Sequence, residues 1–202
     1  MHPKVPTFRS SLLRLHFALL EIEEQRRFVD SDPHLSNFEE LVLLLEDRRF
    51  LTHYGVDWRS VARETVKAAL LQRHGGASTI DMQLFRTASH RYERTLRRKI
   101  REVVGVLVLQ RKFTKIEILR IYLRVAYFGT GLEGSLAAAK AMFPECIDSS
   151  DHKLDESKLT GDQLAQLASL LVYPKPRIPN ANWSSKIRRR ANYGVALFAR
   201  RK

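Results

Sequence analysis

Apolar positions three and four residues apart recur along almost the whole chain, the period of helices buried on one side. The spacing predicts helices near 9–28 and 36–46. Asp57 is placed to N-cap a helix to about Gln72, ended by His74-Gly75-Gly76. Ser78 or Thr79 caps the next, to about Ser89, and residues 91–113 read as one long helix. Thr114 opens another that reaches Tyr127. Gly129, Gly131 and Gly134 form a loop before an Ala-rich helix from Ser135 to Met142. Residues 144–159 are polar and acidic and read as a surface loop, and Thr160 to Val172 is helical again. Residues 173–179 carry Pro174, Pro176 and Pro179 and read as extended. A basic helix from about 184 to 201 follows. No internal repeat and no convincing strand pair emerges, so the expected fold class is all-α.

The long helix resolves into two faces at about 100° per residue. Leu96, Ile100, Val103 and Leu107 fall within roughly 60° of one another and form the expected buried stripe. Arg94, Arg98, Arg101 and Glu102 gather on the other side within roughly a 100° arc. Two readings of that polar face stand side by side. Arg98 and Glu102, four apart, make an ordinary surface ion pair. Alternatively, the guanidiniums form an anion site, with Glu102 ionised among them or holding a divalent cation.

Composition narrows the partners. At 202 residues with 44% apolar residues, the chain carries enough core for one domain. Lys and Arg outnumber Asp and Glu by 35 to 22, a net charge of +13, which points to polyanions: nucleic acid, anionic lipid or phosphate-bearing substrates. The lone Cys146 excludes an internal disulfide and a multi-cysteine zinc site. The apolar run from Ser11 to Leu20 carries Arg14 and His16 and is too short and polar to span a bilayer. It reads as a packed amphipathic helix, or one that lies on a membrane.

The densest chemistry is Glu46-Asp47-Arg48-Arg49-Phe50-Leu51-Thr52-His53-Tyr54-Gly55-Val56-Asp57, directly after the apolar run Leu41 to Leu45. A buried helix ending in Glu-Asp either finishes as a solvated polar cap or carries a carboxylate into a cleft, where burial raises its pKa and suits it to proton transfer. Gly129-Thr130-Gly131-Leu132-Glu133-Gly134 matches the dinucleotide fingerprint in letters only, because a helix and not a strand precedes it. Gly75-Gly76-Ala77-Ser78-Thr79-Ile80 lacks the lysine of a P-loop and reads as a turn whose Ser and Thr cap a helix, leaving backbone N–H groups for an anion.

Five segments in order resemble the glycosyltransferase domain of class A penicillin-binding proteins and the monofunctional peptidoglycan glycosyltransferases. They are Glu46, Asp47, Phe50, His53, Gly55 and Asp57; Gly75, Gly76, Ser78, Thr79, Ile80, Gln83 and Leu84; Arg98, Lys99 and Glu102; Lys115, Ile118, Leu119, Tyr122 and Leu123; and Tyr127, Phe128, Gly129, Gly131, Gly134 with Ala137 to Ala139. The resemblance covers about 38–180. Met82 stands where the family has a glutamine, Arg86 where it has lysine, and Arg124 where it has asparagine.

The resemblance implies a lysozyme-like helical fold over 38–202, with a smaller membrane-facing lobe beside a cleft and an N-terminal helical extension over 1–37. It implies inverting polymerisation of lipid II, an undecaprenyl-pyrophosphate-linked disaccharide, with Glu46 as general base and Glu102 as the second acidic residue of the catalytic site, orienting basic groups, holding a divalent cation or assisting the leaving group. Asp47, His53, Arg63, Ser78, Thr79, Gln83, Arg86, Arg94, Arg98 and Lys99 fall on substrate-binding positions. No covalent cofactor is implied, and Mg or Mn on Glu102 is the metal expectation. The partners implied are the lipid-linked disaccharide-pyrophosphate and an anionic membrane surface; the oligomeric state is not readable. The basic helix around Lys186 to Arg190 suits headgroups or nucleic acid alike, but the arginines around the motifs set nucleic acid behind the lipid. Family chemistry runs on the outer face of the bacterial cytoplasmic membrane; no signal or spanning segment is read in the chain, which leaves a peripheral or cytoplasmic place open. The alternatives are a diverged member that binds lipid-linked saccharide or membrane without polymerising, and a lysozyme-type glycan-cleaving enzyme.

Overall fold

The computed structural model describes residues 8–70, 78–90, 95–147 and 154–201. In chain order its helices are α1 (Phe8–Arg26), α2 (Asn37–Glu46), α3 (Trp58–Ala69), α4 (Ile80–Ala88), α5 (Leu96–Lys112) and α6 (Lys115–Val125). A short hairpin follows, β1 (Tyr127–Gly129) with β2 (Leu132–Glu133), then α7 (Ser135–Met142), α8 (Gly161–Ser169) and α9 (Ala181–Ala199). The class is all-α, as expected. The chain divides into two units, Met1–Asp30 with His53–Ile121, and Ser31–Thr52 with Tyr122–Lys202.

In the first unit, α1 turns Ala18 and Ile22 inward and packs against α4 and α5. Asp57 accepts from the amides of Arg59 and Ser60, the N-cap role expected of it, and α3 runs from Trp58 to Ala69. The expected stop at His74-Gly75-Gly76 lies outside the described residues. Thr79 caps α4 by accepting from the Met82 amide, and its hydroxyl donates to the Gly55 carbonyl at 2.6 Å. That bond pins the Gly55 turn to α4. Gly55 has φ +76°, and a Cβ there would meet Val106 Cγ1 at 2.1 Å, so the turn lies directly on α5.

The face of α5 differs from expectation. Ile100 and Leu107 are 57% and 43% exposed, whereas Glu102, Gly105, Val106 and Leu109 are buried. The buried arc is thus centred near the expected polar face. Phe85 of α4 explains the choice: a Cβ on Gly105 would sit 2.3 Å from its ring. The bulky ring seats itself where α5 has no side chain, and Glu102 is buried one turn away. The helix also begins later than 91; Thr95 is its N-cap, accepting from the Arg98 amide.

In the second unit, α2 opens with a reciprocal capping box between Ser36 and Glu39 and buries Phe38, Leu41 and Val42. It packs on α8 and α9. Thr160 and Gln163 form the same box on α8. Helix α9 starts at Ala181, earlier than expected, because Asn180 caps it, its side chain accepting from the Trp183 amide. The expected glycine loop contains a strand pair. Tyr127 pairs with Glu133 and Gly129 with Leu132, and Lys175 joins by donating to the Phe128 carbonyl. The acidic loop is only partly a surface loop. It holds turns at Pro144–Cys146 and Glu156–Lys158, a bridge between Ile147 and Leu154, and a fully buried Cys146.

Candidate active site

In the first unit the chemistry converges on Glu102. Four residues before it on α5, Arg98 lies on the same helix face; α4 brings Arg86 from the other side. Arg86 Nε and Arg98 Nη1 each donate to Glu102 Oε1 at 2.8 Å. Arg86 Nη2 also donates to Ser78 Oγ at 3.2 Å, tying the residue before the α4 cap into the cluster. Lys99 Nζ lies 3.9 Å from Glu102 Oε2 and 3.3 Å from Met82 Sδ. Burial holds the Lys99 ammonium below its ordinary pKa; Glu102 pulls it up, and Arg86 and Arg98 push it down further.

The surface-pair reading of Arg98 and Glu102 therefore fails on burial. The bond exists, but Glu102 is only 1% exposed, and its carboxylate is shared among three cations. Two positive charges remain in excess, a balance that suits an anion. The same donor set does not suit Mg or Mn. Both oxygens of Glu102 already face guanidinium groups, so a further dication would be repelled. No metal is placed on Glu102.

The other expected positions of this unit divide. Thr79 serves as the cap of α4 and the anchor of the Gly55 turn. Gln83 is half-buried on α4. His53 is buried, with a ring nitrogen within 4.8 Å of an Asp81 oxygen. Asp81, fully buried, accepts from Lys115 Nζ at 3.0 Å and from Gln110. Arg63 does not join the Glu102 cluster. Its guanidinium turns to Ser60 and Glu64 on α3 and is 59% exposed. Arg94, like Gly75 and Gly76, lies outside the described residues.

In the second unit Glu46 is the last residue of α2, and Asp47 is its C-cap, donating its amide to the Leu43 carbonyl. Arg190 of α9 donates through Nη2 to Glu46 Oε1 at 2.7 Å and to the Leu45 carbonyl at 2.8 Å. Burial pushes the Glu46 carboxyl above its ordinary pKa; Arg190 pulls it back only in part, and the Asp47 charge adds to the rise. One turn along α9, Arg48 lies over the Tyr193 ring at 5.5 Å and donates to its hydroxyl.

Arg190 is the residue that sequence reasoning missed, having read the helix as a basic surface. A signal was present. Ile187, Ala191 and Gly194 make the apolar stripe of α9, and all three are buried. Arg190 borders that stripe, so its guanidinium is carried to the α2 side instead of to solvent.

A family model described as "Transglycosylase" matches residues 15–197. The chain is 32% identical to a "Biosynthetic peptidoglycan transglycosylase" of Nitrosomonas eutropha, over 86% of this chain and 68% of that protein. It is 34% identical to a protein of the same description in Rhodospirillum centenum, over 86% and 70%. It is 33% identical to "Penicillin-binding protein 1A" of Rickettsia prowazekii, where the match takes 85% of this chain but spans only 21% of the relative.

Proposed function

Because the chain belongs to the transglycosylase family, we propose that it polymerises a lipid II-type undecaprenyl-pyrophosphate-linked disaccharide with inversion. Glu46 takes the proton from the acceptor sugar hydroxyl as that oxygen attacks the donor's anomeric carbon. The C–O bond to the lipid pyrophosphate breaks, and the pyrophosphate leaves with the electron pair. Arg86, Arg98 and Lys99, held by Glu102, receive the charge that develops on the leaving phosphates. Asp47, His53, Arg63, Ser78, Thr79, Gln83 and Arg94 complete the substrate contacts.

The observation that carries the reading is the state of Glu46. A carboxyl desolvated enough to be raised, yet tethered in one rotamer by Arg190, has the basicity and position a general base requires. The test is polymerisation of labelled lipid II in detergent, with Glu46→Gln as the paired variant. Equal product from the two proteins would remove Glu46 from the base role.

Support for an anionic membrane partner comes from the first unit. Leu12, Leu13, Phe17 and Leu20 of α1 are exposed, and so are Ile100, Val104 and Leu107 of α5. Among the described residues no helix is long and apolar enough to cross a membrane. Contact through interfacial apolar side chains, with the net positive charge supplying attraction, suits that surface.

A second reading, a member that binds the lipid-linked saccharide without polymerising it, draws on Met82. A fully buried thioether stands where the family has an amide, and Lys99 is turned to its sulfur. Saturable lipid II binding with no product after long incubation would favour this reading, and polymer would end it.

A further inference from the structure

Between α1, α4 and α5, all in the first unit, lies a recess open to solvent. Arg14 and Leu15 line it from α1, Phe85 from α4, and Arg98, Arg101 and Glu102 from α5. Neither Arg14 nor Arg101 belongs to any of the five motifs.

Its chemistry has two halves. Arg14, Arg98 and Arg101 line the recess together with Glu102, whose carboxylate is bonded to Arg86 and Arg98. Arg98 Nε is buried and finds no hydrogen-bond partner among the described residues. A buried donor of this kind is costly unless a ligand or water meets it. The other half is apolar: Leu15, and Phe85, whose ring is fixed against Gly105. A bare inorganic anion would use only the first half, and a neutral hydrocarbon only the second.

We propose that this recess seats the phosphate of an amphiphile on Arg14, Arg98 and Arg101, with the apolar arm along Leu15 and Phe85. It rests on the glycosyltransferase reading only for where such a lipid comes from: the prenyl pyrophosphate released by the reaction, or a phospholipid headgroup of the membrane. The shared chemistry is a phosphate ester carrying a hydrocarbon. Guanidiniums bind it bidentately, and the arm gains from leaving water.

The probe is dodecyl phosphate below its micelle concentration, titrated calorimetrically into the whole chain. Saturable binding is expected, and Arg14→Gln and Arg101→Gln should each weaken it about tenfold by removing a charge-assisted contact. Arg14→Lys should recover part of the loss, since the charge returns without the planar fork. Arg14 lies exposed on α1, so its variant keeps the test open even if Arg101→Gln does not fold. Unchanged binding by folded Arg14→Gln overturns the proposal. So does equal binding of dodecyl maltoside or of inorganic phosphate. Displacement by farnesyl pyrophosphate or by dihexanoyl phosphatidylglycerol supports it and names the source; displacement by neither overturns it. A chain that polymerises lipid II but does not bind dodecyl phosphate sinks this inference alone. One that binds without polymerising sinks only the reading of Glu46.

Discussion

Arg190 and Glu46 are 144 residues apart in the chain and 2.7 Å apart in the fold. Burial raises the Glu46 pKa, and Arg190 opposes that rise. Arg190→Ala should therefore raise the Glu46 pKa further. A general base works only when ionised, so activity falls as pH drops through that pKa. The acid limb of the polymerisation rate should move to higher pH in the variant, with a larger loss at pH 6 than at pH 8. Folding stability should fall by about 1–3 kcal/mol, since the Glu46 oxygen and the Leu45 carbonyl both lose a donor. An acid limb that stays in place would separate Arg190 from the base.

Glu102 holds three cations together, and its removal should be felt by all of them. Glu102→Gln leaves Arg86, Arg98 and Lys99 without a counter-charge. Breaking such a pair when buried costs about 3–5 kcal/mol. Arg86→Gln in the same background should restore part of the loss. A double-mutant cycle by urea denaturation should give a coupling of about 1–3 kcal/mol. Additive losses would mean that Arg86 and Glu102 meet without interacting.

What the sequence made legible were the features set by neighbours along the chain. Thr79 and Asp57 were readable as caps because capping is a bond to an amide two or three residues on. Glu102, Arg98 and Lys99 were readable because helical spacing places them. The inward side of α5 was not legible. That helix has apolar residues on two arcs, and only the approach of Phe85 to Gly105, from another helix, decides between them. The hairpin at Tyr127 was missed because its strands hold three and two residues, too few for an alternating pattern. Arg190 was missed because its partner lies on α2, far off in sequence.

Asp81 sets a pH dependence of stability. Burial raises its pKa above the ordinary aspartate value, and Lys115, His53 and Gln110 only partly offset that. The folded state then holds the proton more tightly than the unfolded chain. Its contribution is fully present below the ordinary aspartate pKa and declines as pH rises through the raised value. Asp81→Asn should make the stability–pH slope less negative over that window. The same denaturation series run at several pH values measures it, and a slope equal to the native one would contradict the assignment.

The exposed apolar residues of α1 and α5 predict a surface effect without a folding effect. Phe17 and Ile100 are 63% and 57% exposed, so Phe17→Ser and Ile100→Ser should leave the melting temperature within a degree or two. Each should reduce partition onto phosphatidylglycerol vesicles about tenfold, the loss expected when one large apolar side chain no longer enters the interface. Co-sedimentation at fixed salt reads this. Unaltered partition of both variants would assign membrane contact to charge alone.

Gly105 offers the sharpest test of the packing that buries Glu102. Alanine is the better helix former by about 1 kcal/mol, so propensity alone predicts that Gly105→Ala stabilises α5. Packing predicts the reverse, because the new Cβ would lie 2.3 Å from the Phe85 ring. Phe85 is 4% exposed and cannot swing into solvent without uncovering core. Overpacking of this kind costs about 1–3 kcal/mol, which exceeds the propensity gain. The net change should be destabilising, and Phe85→Leu, harmful in the native background, should be less harmful in the Gly105→Ala background. Denaturation of the two single variants and the double variant decides the matter. If Gly105→Ala proves stabilising, Phe85 does not hold α5 in this rotation, and the burial of Glu102 needs another cause.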